Sequence, residues 1–128
     1  SFCDIGKKLE KSNEYLTNKI IEILQHEKNT FVKICCYQEL YLLGKNDYLE
    51  KLFRLFDSRN YKNRCAVLES LTTILDQDNK EIIKKQANLF YEKEESIAVK
   101  ERINRLLDGL NLMQSDSQQF SIDNVEIE

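Results

Sequence analysis

The side chains in this sequence that could do chemistry are few. They are Cys3, Cys35, Cys36 and Cys65, the single histidine His26, and the acidic pairs Asp76/Asp78 and Glu94/Glu95. Nucleophilic catalysis needs a Cys or Ser beside a base that a third group orients. His26 stands in "LQHEKN", where a helix is ending, and reads as a solvated or capping residue. Cys35 and Cys36 are adjacent in an apolar stretch and no Cys-x-x-Cys occurs, which fits neither a disulfide framework nor a metal ligand set. The cysteines read as small free thiols, Cys36 buried, in a reducing compartment. No glycine-rich phosphate loop, His-Glu-x-x-His or EF-hand run is present. The acidic pairs fall at turns or helix starts, where the helix dipole favours them. The expectation is a chain without catalysis, without metal and without cofactor.

The elements that position these residues follow from composition and period. A chain of 128 residues is one domain by length, and can bury about two-thirds of its unfolded surface. Proline is absent and glycine occurs three times, which leaves few breakers and favours helix. No stretch approaches the ~20 apolar residues that cross a membrane and no signal peptide is visible, so a cytoplasmic location is expected. From Asn111 onward there are four acids and no Lys or Arg. Removing them from 22 leaves 18 acids against 19 bases in residues 1–110, a net of +1. So balanced a body argues against a dedicated nucleic-acid binder.

Apolar residues recur at helical spacing in six segments. Tyr15, Leu16, Ile20, Ile23 and Leu24 mark the first. Val32, Cys36, Leu40 and Leu43 mark the second, with Gly44 as its stop. Tyr48, Leu49, Leu52, Phe53 and Phe56 follow Asn46-Asp47, which can cap the third. Val67, Leu71 and Ile74 come next, then Ile82, Ile83, Leu89 and Phe90, and last Val99, Ile103, Leu107 and Leu110. Short polar breaks join them, the spacing of stacked helical hairpins. Three copies align on a basic column, Lys33, Arg64 and Lys100. Cys36, Val67 and Ile103 stand three residues after it; Leu40, Leu71 and Leu107 stand seven after; Leu43, Ile74 and Leu110 follow. Leu24, Phe56 and Phe90 close the preceding helices.

In "LFDSRNYKNRCAVLESL", Leu55 and Phe56 end one helix, Asp57 to Asn60 turn the chain and Arg64 opens the next. This stretch resembles the core of a short HEAT-like repeat, in which an Asp in the turn and an Arg early in the second helix recur; Asp57, Arg64, Ala66 and Leu71 match. "NTFVKICCYQEL" keeps Val32, Lys33 and Leu40, and "ESIAVKERINRLLDGL" keeps Val99, Lys100 and Leu107. Lys stands for Arg in both, and the proline usual in the first helix is missing. The resemblance covers residues 14 to 110. It implies an all-α domain at 1–110, three stacked helical hairpins forming a short HEAT-like solenoid, followed by an irregular, mobile acidic tail at 111–128. Phe120, Ile122, Val125 and Ile127 give that tail weak strand character, so pairing with another surface is its other reading.

The basic column reads as an inter-hairpin ladder, each Lys or Arg bonding turn carboxylates and carbonyls of its neighbour, such as Asp57; an anion-binding strip is the alternative. With the apolar columns inward, the outward arc of the second helices carries Tyr37, Gln38 and Tyr41, then Glu69 and Thr72, then Arg105 and Asp108. Helical repeats commonly bind through such a surface. Tyr37 and Tyr41, one turn apart, are rigid anchors there, or else they cover a seam with the N-terminal hairpin. The expected function is non-enzymatic binding of another protein. As a small, Asn/Lys-rich, proline-free repeat domain, the chain is similar to bacterial immunity proteins, which implies a cognate toxin as partner. The alternatives are a scaffold or assembly fragment of a larger helical-repeat protein, which predicts exposed apolar end hairpins, and a HEAT-like nucleic-acid-binding module.

Overall fold

The computed structural model describes the backbone of residues 2–127 and the side chains of residues 5–113. It is all-helical: α1 (Phe2–His26), α2 (Thr30–Leu42), α3 (Asp47–Arg54), a 3-10 turn (Leu55–Asp57), α4 (Tyr61–Ile74), α5 (Lys80–Lys93) and α6 (Ile97–Ile127). No strand occurs among the described residues, and no described helix is long and apolar enough to cross a membrane. The chain divides into two compact units, Ser1–Ser70 and Leu71–Glu128, with the division running through α4.

In the first unit α2 packs against both α1 and α3. Ile20, Cys36 and Leu40 form a buried cluster, and Ile21, Leu24, Val32, Leu43 and Tyr48 lie against it. Local bonds hold both ends of α2 and the start of α4. Asn29 caps α2, its side chain accepting from the Val32 N–H at 3.2 Å. Gly44, at φ +97, stops α2: its N–H donates to the Tyr41 carbonyl and that of Lys45 to the Leu40 carbonyl. Those two bonds make a Schellman motif, which needs the left-handed backbone that glycine adopts without strain. Asn46, expected to cap α3, makes no side-chain cap bond, because its own backbone is already helical. Asn60 does cap α4, accepting from the Lys62 N–H at 2.9 Å.

Tyr15, Leu16 and Ile23 were expected inward but are exposed, while Thr17 and Ile20 are buried and Ile21 and Leu24 half-buried. The cause is that α1 carries two apolar stripes on different sides, and a 3.6-residue period does not say which one the chain covers.

In the second unit α5 packs against α6, and Ile83, Ala87, Phe90, Val99, Ile103, Leu106 and Leu110 are buried. Ile82 and Leu89, expected inward, are exposed. The loop from α4 to α5 is closed by its own side chains. Asp76 Oδ1 accepts from the Asn79 and Asp78 N–H groups, and Asn79 Oδ1 accepts from the Asp76 N–H, all at 2.8 Å. Asn79 Nδ2 donates to the Ile74 carbonyl at 2.9 Å, one of the end groups that α4 leaves unpaired. Before α6, Ser96 Oγ accepts from the Val99 N–H, and the buried Glu94 accepts from the Ser96 N–H.

The tail expected to be irregular from Asn111 has helical backbone as far as Ile127. Nothing after Gly109 is a proline or glycine, so no residue forces the helix to stop. The side chains of 114–128, and the mobility expected of them, lie outside the described residues.

Candidate protein-binding surface

The repeat columns are largely turned inward. Cys36, Val67 and Ile103 are buried, as are Leu40 and Leu71, with Leu107 half-buried. The basic column is half-buried at all three positions. Arg64 Nη1 donates to the Ser58 carbonyl at 2.8 Å and the Arg59 carbonyl at 3.1 Å. These two bonds fasten the turn that precedes its own helix, where bonds to a neighbouring hairpin are expected, and use carbonyls that no helix satisfies. Lys100 instead sets its ammonium 5.6 Å from the centre of the Tyr91 ring.

Of the residues expected on the outward arc, Tyr37, Gln38, Tyr41 and Glu69 belong to the first unit, and Thr72, Arg105 and Asp108 to the second. Tyr37, Gln38 and Tyr41 are half-buried and Glu69 is exposed. The Tyr37 ring lies 5.4 Å from that of Tyr48, tilted by 39°, and Lys51 places its ammonium 4.8 Å from the Tyr48 centroid. Such an offset aromatic pair holds a ring at low entropic cost to a later partner. Gln38 is also fixed: its Oε1 accepts from the buried Ser70 hydroxyl at 2.7 Å, which ties α2 to α4 beside Glu69. Tyr48 and Lys51 therefore join the tyrosine site. Tyr48 packs against the Ile20, Cys36 and Leu40 cluster, as its place in the apolar stripe of α3 predicts, and its ring also braces Tyr37. The signal available was that Lys51 stands three residues after Tyr48, on the same helical side.

In the second unit Thr72, Arg105 and Asp108 are exposed, as expected. Arg105 pairs with Glu101 one turn away, at 2.8 Å. Both partners are open to water, so that bond contributes little to stability.

Burial, together with Tyr48 and Cys36, pushes the Tyr37 phenol above its ordinary pKa. Burial, then Cys35 and Glu27, raises the Cys36 thiol. Both groups hold their protons longer in the folded chain. Any stability they contribute is complete below the ordinary phenol and thiol range, and is lost as pH climbs through the raised values.

Cys35, Cys36 and Cys65 are free thiols, exposed, buried and half-buried in that order. Thiol titration of the native protein at mildly alkaline pH should modify Cys35 at least ~10-fold faster than Cys36, and unfolding should equalise them. Equal native rates would show that the Cys36 side of α2 opens freely. His26 is exposed at the end of α1. The described residues hold no group of three or more His, Cys, Asp or Glu that could bind a metal.

No protein-family model, curated protein or solved structure matches this chain.

Proposed function

We propose that this chain is a non-enzymatic protein-binding module of the short HEAT-like solenoid type, and that its partner is a toxin which it neutralises by covering, as an immunity protein does. One observation carries the binding reading. Tyr37 is braced on Tyr48 and Gln38 is locked to Ser70, with Tyr41 a turn along α2 and Glu69 exposed beside Ser70. Aromatic anchors that are already ordered, rimmed by polar groups, are what a protein interface concentrates its energy on. Glu69 supplies charge that governs encounter rate more than final affinity. Thr72, Arg105 and Asp108 give the second unit a polar exposed set of its own.

Pull-down from the source cell, followed by calorimetry on the captured protein, tests this. Replacing Tyr37 and Tyr41 together by Ala should weaken binding by at least ~2 kcal/mol with the helical CD spectrum unchanged. Unaltered affinity would move the site to another face, and capture of nucleic acid in place of protein would refute the binding-protein reading. A second reading, a scaffold or assembly piece of a larger helical-repeat protein, gains support from the exposed apolar side of α1. It predicts binding that survives the double tyrosine change.

A further inference from the structure

Ile5, Leu9, Leu16 and Ile23 are each between 46 and 60 % exposed. At 100° per residue these four side chains point within about 40° of one another, so they form a straight apolar stripe along α1. Burial within the chain begins only at Thr17, and every residue from 5 to 16 is exposed. That stretch includes Gly6, Ser12 and Asn13, and a solvated helical segment so short and so composed is marginal on propensity alone. Half of α1 thus has a hydrophobic face and no covering from its own unit.

The charges beside the stripe indicate what covers it. Along one edge run Lys8, Tyr15 and Glu22, spaced by seven residues, so the row reverses its charge from end to end about Tyr15. We propose that the α1 stripes of two copies of this chain dock antiparallel about a two-fold axis near Tyr15. Lys8 of each copy then lies opposite Glu22 of the other, Tyr15 faces its own counterpart, and Ile5 meets Ile23 at both ends. A two-fold contact must be self-complementary, and this row is. Lys19 lies close to the stripe but is drawn off it: its ammonium sits 3.6 Å from Glu22 and 5.6 Å from the Tyr15 ring centre. A parallel pairing would instead set Ser12 against Ser12 at the seam and hold Lys8 and Glu22 at opposite ends of the contact, without each other's charge. The contact is small, so the dimer forms in a concentration-dependent way. It involves no residue of the tyrosine site and stands independently of the function proposed above.

Sedimentation equilibrium of the whole chain over a range of concentrations tests the proposal. The unaltered protein should dimerise. Leu9→Glu with Leu16→Glu should abolish the dimer. Lys8→Glu or Glu22→Lys alone creates two like-charge contacts and should weaken it on the order of tenfold. Combining Lys8→Glu with Glu22→Lys re-pairs the row and should restore the dimer to within about threefold of the original. Amide exchange of residues 5–16 should slow as concentration rises. A protein monomeric throughout overturns the proposal, whether those amides are open or are already protected by the chain itself. A dimer indifferent to the single reversals, or not restored by the double one, overturns the antiparallel register.

Discussion

Leu71→Ala should lower the unfolding free energy by about 2–5 kcal/mol, a large loss for one truncation. Leu71 is 0 % exposed and stands on the side of α4 that also carries the buried Val67 and Ile74. Removing its isopropyl group forfeits the transfer energy of three carbons and leaves a void that close-packed surroundings only partly refill. Glu69→Ala, two residues earlier and facing water, should cost under ~0.5 kcal/mol. Denaturant melts of both variants at one protein concentration give the comparison, read as midpoint shifts at unchanged slope. Equal losses would mean that α4 is turned the other way, and the exposed position of Glu69 beside Gln38 would fall with it.

Asn79→Ala should cost about 2–3 kcal/mol, although the residue sits in a loop. Its side chain is 4 % exposed and serves two backbone groups at once, accepting from the Asp76 N–H and donating to the Ile74 carbonyl. Truncation leaves the buried Ile74 carbonyl and the Asp76 N–H, whose bond is half-buried, each short of a partner, and an unmade buried bond costs more than a made one contributes. Asp78→Ala, one residue away and exposed, should fall within ~0.5 kcal/mol of the unaltered chain. Thermal or denaturant unfolding decides it. If Asn79→Ala melts like Asp78→Ala, the α4–α5 loop is held by backbone alone.

What the sequence discloses and what it hides follow from the range of the interactions involved. Six helices and their breaks are legible because period and punctuation are local, and Gly44 is identifiable as a stop because one backbone angle demands it. The role of Arg64 is half legible. Its place after the turn is visible, but its use of the Ser58 and Arg59 carbonyls depends on how that turn closes. The inward side of α1 is not legible, since Ile20, Ile21 and Leu24 compete with Ile5, Leu9, Leu16 and Ile23, and only α2 settles the choice. Ile82 and Ile83 pose the same problem in two adjacent residues, of which only the second is buried. Asn79 is unremarkable in "LDQDNK" until the loop folds and its amide finds two backbone partners. At the candidate site Tyr37 and Tyr41 could be singled out by spacing, but the pairing of Tyr37 with Tyr48 joins two helices across an intervening turn. No local pattern encodes that.

The three glycines differ in how free they are to change. Gly44 is held by its positive φ, and any side chain there would strain the end of α2. Gly6 and Gly109 lie inside helices with nothing within 4 Å of where a Cβ would go. An alanine at either position would add about 1 kcal/mol through helix propensity. The chain therefore has room for evolutionary drift. A lineage that acquired either alanine could tolerate a costly change at a contact residue and still fold, so the recognition surface can diversify faster than the helices that carry it.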